Sequence, residues 1–181
     1  LEPCTHYGRT PPCVDEILEA GIKKVFIGMR DPNPLNNGKG IKLLEEHGLK
    51  VSAGFLEDEL RKINQPFIKY ITKKIPYVSV KVGQSLDGKI AARSGDSKWI
   101  TGPEARLDAR LERSLCDAVL VGTGTVAADN PELAPHGKYK DKKLLRVIID
   151  GQLSSDLKKQ VFRDEFVFVA CSDAAPLGRR R

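Results

Sequence analysis

Apolar and polar positions change rhythm along the chain, and those changes mark out its elements. Residues 13–20 (CVDEILEA) carry apolar side chains at helical spacing, with Asp15 and Glu16 early and Gly21 as a stop. Residues 22–28 (IKKVFIG) predict a strand, and the Pro-, Asn- and Gly-rich run 31–40 predicts a loop. Residues 41–47 predict a helix ended by Gly48, and residues 49–54 a second strand. Residues 57–74 predict a helix broken near Pro66, whose ring cannot sit inside an unbroken helical ladder. Helix and strand alternating in this order predict an α/β fold with a largely parallel sheet.

From Pro76 the texture shifts. Residues 77–83 (YVSVKVG) alternate as a strand does, and residues 84–95 form a polar, Gly-containing turn region. Residues 101–115 predict an Arg-rich amphipathic helix that Thr101 caps, with Pro103 near its start. Arg106, Arg110 and Arg113 share one face of it, a face expected to be mostly solvated, which leaves Arg113 as the functional candidate. A strand at 118–121 runs into the Gly-rich turn Gly122-Thr123-Gly124-Thr125, and residues 144–150 (LLRVIID) and 166–170 (FVFVA) are further buried strands. A domain boundary falls near residue 75, giving segments 1–74 and 75–181.

Composition narrows the class. The apolar and charged fractions are those of an ordinary soluble protein, and no run approaches eighteen apolar residues, so no membrane span is expected. No charged-then-apolar leader is seen in these residues, and a truncated start would conceal one. Of the net charge of +6, half comes from Arg179, Arg180 and Arg181, and the other basic residues are scattered without interleaved aromatics. Nucleic acid is therefore not the expected partner; a mildly basic protein suits a phosphorylated small molecule. Cys116 and Cys171 lie in apolar stretches where buried free thiols are common, and a reducing cytoplasm is the expected compartment.

The opening thirteen residues, LEPCTHYGRTPPC, carry the most specific chemistry. Cys4 and Cys13 read as zinc ligands presented on a loop that Pro3, Pro11 and Pro12 stiffen. The positive end of the following helix is expected to favour a thiolate at Cys13. A zinc deaminase also needs a third ligand, usually His, and a Glu two residues after it that moves protons. No H-x-E occurs here: His6, His47 and His136 are followed by Gly8, Leu49 and Lys138. The expectation is a fragment whose missing half lies upstream. His6 is either a third ligand or a substrate contact, and its spacing from Cys4 favours the latter.

This run closely resembles the deaminase half of the bifunctional riboflavin-biosynthesis enzymes, the diaminohydroxyphosphoribosylaminopyrimidine deaminase / 5-amino-6-(5-phosphoribosylamino)uracil reductases. The resemblance continues through residues 82–89 (VGQSLDGK), 94–101 (SGDSKWIT), 117–122 (DAVLVG), Gly124-Thr125-Val126 and Asp129-Asn130-Pro131, in the family's order. It implies the C-terminal part of a cytidine-deaminase-like domain at 1–74 and the N-terminal part of a dihydrofolate-reductase-like domain at 75–181. It implies zinc-dependent deamination of a phosphoribosyl pyrimidine, followed by NADPH-dependent reduction of the ribose to ribityl. By resemblance, Cys4 and Cys13 bind zinc, while His6, Arg9, Ser97, Arg113 and Leu133 contact substrate. Gly83, Trp99, Thr125 and Asp129 would contact NADPH. Lys81 reads equally as a charge near the reacting sugar or as a surface lysine. Where the family carries a substrate-binding Arg, this chain has His136, and the family's later Gly-rich cofactor segment and acidic substrate residue are absent. The resemblance thus implies a fragment truncated at both ends, compatible with a homo-oligomer. A stand-alone NADPH reductase with a non-functional deaminase remnant is the alternative.

Overall fold

Helix and strand alternate in the first half as the pattern dictates, and the strands pair in parallel. The structure, a computed structural model, describes residues 1–179; Arg180 and Arg181, part of the C-terminal charge noted above, lie outside the described residues. The chain divides into two units, Leu1–Val80 and Lys81–Arg181.

In the first unit α1 (Cys13–Glu19) leads to β1 (Lys24–Ile27), α2 (Lys39–Glu46) and β2 (Lys50–Ala53), then α3 (Glu57–Ile63) and α4 (Gln65–Lys73). β1 and β2 are parallel, with Val25 opposite Val51 and Ile27 opposite Ala53. A parallel pair needs a long crossover, and the loop with α2 supplies it. Gly21 (φ +67°) and Gly48 (φ +82°) end α1 and α2 in the left-handed conformation that glycine adopts without a Cβ clash. Val14, Ile27, Met29 and Leu44 are buried. The expected break near Pro66 falls at Asn64, whose side-chain amide donates to the Leu60 carbonyl at 2.8 Å while Pro66 sits in the first turn of α4.

In the second unit α5 (Pro103–Leu115) precedes β3 (Ala118–Gly122), α6 (Thr123–Asp129), β4 (Leu145–Ile149) and β5 (Val167–Ala170). The sheet order is β3-β4-β5, all parallel, with Leu120, Val147 and Phe168 in one cross-strand row. Alternation sends Ile148 to one face, where it packs with Val126, Leu133 and Val161, and Val119, Val121, Phe162, Val167 and Val169 close around them. The opposite face leaves Leu120, Ile149 and Phe168 exposed. Two buried charges on this sheet find partners. Arg146, 3% exposed, pairs with Asp164, and that bond, followed by the Phe166 N–H, holds the Asp164 carboxyl below the usual range. Burial raises the Asp150 carboxyl, but the N–H and O–H of Ser154 and the N–H of Ser155 outweigh it and leave the group lowered.

Four sequence expectations need correction. Residues 77–83 form no strand; Val78, Val80 and Val82 are exposed, and among the described residues no strand pairs with this segment. Alternation describes a strand's faces but cannot supply the partner its N–H and C=O groups require. Residues 123–129 form a helix, not a turn, because Val126 buries into the core and Ala127 and Ala128 continue the helical run. Thr101 does not cap α5: Gly102 stands at that position, and the Thr101 carbonyl is bound by Arg106 instead. Cys116 and Cys171 are exposed, since each lies just past the end of an element rather than within its buried face. Among the described residues no helix is long and apolar enough to cross a membrane.

Candidate functional site

The Cys4–Cys13 loop is held in place by buried polar groups that follow and precede it. Glu2, 4% exposed, accepts four backbone hydrogen bonds. The N–H groups of Asp31 (3.0 Å) and Gly38 (2.9 Å) reach one oxygen, and those of Gly40 (2.9 Å) and Ile41 (3.2 Å) the other. Glu2 thereby caps α2 from 36 residues away, where α2 has no local side-chain cap. Gly40 is required beneath it, because a Cβ there would collide with the Pro3 carbonyl. Fully buried Asn36 completes the clamp: its oxygen accepts from the Thr5 N–H (3.1 Å) and its amide donates to the Pro3 carbonyl (3.1 Å).

So tethered, Cys4 meets the start of α1. The Cys13 N–H donates to Cys4 Sγ at 3.4 Å, and the Val14 N–H donates to the Cys4 carbonyl at 3.3 Å. Both cysteines line an open cleft of about 650 Å³ with Glu16, Ile17 and Ile22. The Cys13 thiol is pushed up, by its hydrogen bond with Cys4 first, then by burial and the Cys4 charge. This corrects the expected thiolate: the helix end does not outweigh a second sulfur beside the first. A cation between the sulfurs reverses that balance. Among the described residues no group of three or more His, Cys, Asp and Glu is placed to hold a metal. The two thiols suit zinc as a partial ligand set. His6 is half-buried with Nδ1 unpartnered, and Arg9 is exposed on the same loop.

In the second unit a chain of contacts links most of the remaining candidates. A Cβ at Gly83 would lie 3.5 Å from Lys81 Nζ and 3.8 Å from the Thr101 methyl, so Gly83 backs onto both. Thr101 is tied through its carbonyl to Arg106, which lies over the Trp99 ring. Lys98, between half-buried Ser97 and Trp99, reaches Asp129 Oδ1 at 3.8 Å. Asp129 ends α6, and Thr125, four residues earlier, shares its exposed face.

Arg113 stands apart, seven residues and about 10 Å further along α5 than Arg106. It is half-buried, and among the described residues no carboxylate pairs with it. Burial first, and Arg110 second, draw its pKa below the ordinary value. Beside it, the buried Ser114 hydroxyl donates to the Arg110 carbonyl (2.8 Å) and accepts the His136 N–H (2.7 Å), docking residue 136 next to Arg113. Leu133 (φ +54°) puts its side chain in the core, leaving its backbone for any substrate contact. Lys142 caps α5 by donating to the carbonyls of Ser114 (3.3 Å), Leu115 (3.3 Å) and Cys116 (2.7 Å). Sequence reasoning passed over Glu2, Asn36, Lys98 and Arg106 as working parts. Glu2 and Asn36 have no local signal, and the stripe spacing of Arg106 said nothing of what that face meets.

The chain is similar to known proteins. Residues 76–179 match the family model of the RibD C-terminal domain. The chain is 48% identical over 164 residues to the riboflavin biosynthesis protein RibD of Bacillus amyloliquefaciens, covering 91% of this chain and 44% of that protein. It is 46% identical over 165 residues to RibD of Aquifex aeolicus, covering 91% and 46%. Among solved structures, the diaminohydroxyphosphoribosylaminopyrimidine deaminase/5-amino-6-(5-phosphoribosylamino)uracil reductase of Thermotoga maritima superposes with a TM-score of 0.83 at 46% identity, over 96% of this chain and 50% of that one. RibD of Acinetobacter baumannii gives 0.81 at 41% identity, over 94% and 49%. The chain spans about half the length of the proteins it matches.

Proposed function

The chain belongs to the RibD C-terminal domain family, and on that premise we propose that its second unit is part of an NADPH-dependent reductase of riboflavin biosynthesis acting on a phosphoribosylaminopyrimidine. Its first unit is the C-terminal part of a cytidine-deaminase-like zinc deaminase of the same pathway. The observation that carries the reductase reading is the linked set Lys81, Gly83, Trp99, Thr101 and Asp129 within one unit. With Thr125, the set fits a nicotinamide dinucleotide: an exposed flat ring to stack on, glycine for close approach, and the Thr125 hydroxyl and Asp129 carboxylate on one face of α6. NADPH, when bound, supplies the hydride; these residues bind and orient. Ser97 faces the sugar in this reading, and the Lys81 ammonium adds positive charge near it.

Arg113 holds the substrate 5′-phosphate. A half-buried guanidinium with no carboxylate partner among the described residues is a cation in need of an anion, and its planar fork suits a phosphate. In the first unit, Cys4 and Cys13 would hold zinc, which supplies water activation for hydrolytic deamination when bound. His6 and Arg9 sit on the loop between them and face the pyrimidine in this reading.

The test follows NADPH oxidation by the protein expressed from its full gene, with the deaminated phosphoribosylamino substrate and its dephosphorylated form. Arg113→Ala should raise KM for the phosphorylated substrate by about 30- to 1000-fold, the equivalent of about 2–4 kcal/mol, with NADPH affinity little changed. Equal losses for both substrates would mark Arg113 as structural and remove the phosphate assignment.

A further inference from the structure

Spacing groups Arg106 with solvated charges, yet its side chain is half-buried against the loop before α5. The guanidinium carbon lies 4.3 Å from the centroid of the Trp99 ring, and Nη1 donates to the Thr101 carbonyl at 2.5 Å. Arg106 is half-buried, and among the described residues no carboxylate pairs with it. Its own N–H is fixed by the Gly102 carbonyl at 3.1 Å, in the first turn of α5. One planar group thus uses its face on an indole and its edge on a carbonyl two residues further on. An ammonium lacks the plane for the first contact, and a neutral amide lacks the charge.

The same loop is anchored at a second point. The Lys98 N–H donates to Asp96 Oδ1 at 3.0 Å, and Lys98 Nζ reaches Asp129 at the end of α6. Residues 96–101 are therefore tied to α5 through Arg106 and to α6 through Lys98. Trp99 remains 68% exposed despite the cation over one face, so its other face is open to a ligand.

We propose that Arg106 is a positioning residue for the nicotinamide cofactor, acting through Trp99: it holds the indole as a preformed stacking surface. Without it, an exposed tryptophan on a polar loop samples several rotamers, and binding must order the ring at a cost in affinity. This role rests on the reading of the Trp99 region as the cofactor site. Lys98 serves the same loop from the other side.

Trp99 is the one tryptophan of these 181 residues, so in the protein expressed from its full gene, the parent here, the difference in emission from the Trp99→Phe variant reports this loop. The variants are Arg106→Gln, Arg106→Lys and Trp99→Phe, each checked by far-UV circular dichroism. In Arg106→Gln without cofactor, Trp99 emission should shift to the red and acrylamide quenching should rise. NADPH titrated against Trp99 emission should then bind about tenfold more weakly than to the parent, with Arg106→Lys intermediate. An Arg106→Gln emission spectrum equal to the parent's overturns the clamp. Altered emission with unchanged NADPH affinity overturns the positioning role. Failure of the underlying reading looks different: Trp99→Phe would bind NADPH, followed by dihydronicotinamide fluorescence, as tightly as the parent. A parent that does not bind NADPH would likewise refute the site itself, whatever the emission of Arg106→Gln shows.

Discussion

Replacing Glu2 should unfold the first unit at far lower denaturant than a surface change near a terminus would. Its carboxylate accepts four N–H groups at 2.9–3.2 Å while only 4% exposed, and three of the four belong to the start of α2. A hydrogen bond to a charged group contributes about 1.5–3 kcal/mol, and an N-cap about 0.5–2 kcal/mol. The four bonds are not additive, because the freed end of α2 can partly rehydrate. Glu2→Ala should therefore cost about 3–5 kcal/mol, and Glu2→Gln about 2–3 kcal/mol, since its NH₂ must face two N–H donors. With each kcal/mol worth roughly 4–8 °C in a domain of this size, the loss is large against total stability. Urea denaturation followed by circular dichroism measures the change, and hydrogen exchange at Gly40 and Ile41 localises it. A Glu2→Gln chain within about 0.5 kcal/mol of the parent, the range of an ordinary surface substitution, would refute the capping argument.

Three further outcomes follow from the same geometry. Lys142→Met removes the cation from three carbonyls at the end of α5 and should destabilise the second unit by about 1–2 kcal/mol in urea titration; Lys140→Met, at an exposed position, serves as the control. Because the Asp150 carboxyl is lowered in the folded chain, its contribution is complete above the ordinary value of 3.8 and disappears as pH falls through the lower folded value. Asp150→Asn should accordingly be less stable than the parent at neutral pH and lose less on acidification, and an equal loss in both would exclude Asp150 as a source of acid sensitivity. Cys13→Ser should weaken zinc binding by at least about tenfold in a chelator competition, whereas Cys116→Ser, on an exposed thiol, should leave it unchanged; equal effects would separate the Cys4–Cys13 pair from the metal.

Elements with local signals were legible in the sequence. Gly21 and Gly48 end helices because only a residue without a Cβ turns the chain there cheaply, and Pro66 marks the break between α3 and α4. β1, β2, β4 and β5 lie within their apolar runs, and their parallel pairing follows from the intervening connections. Where a local pattern needed a distant partner, it misled. Residues 77–83 alternate without a neighbour, and Gly122-Thr123-Gly124-Thr125 reads as a turn until Val126 finds the core.

The candidate site divides along the same line. Residue type and loop context make Cys4 and Cys13 candidates, and the family resemblance makes Gly83, Trp99 and Asp129 candidates, because reactive or recognition groups must be of particular types. The residues that hold them in place are ordinary ones whose roles depend on what folding brings near: Glu2 on α2 across as many as 39 positions, or Lys98 on α6. Arg106 shows why spacing alone cannot decide. An i+3/i+4 stripe of arginines is the same sequence whether its face meets water or an indole, and only the Trp99 ring 4.3 Å away turns one of the three into a structural clamp. The working parts of a site are therefore read from sequence by residue type, but its supports are read only from contacts.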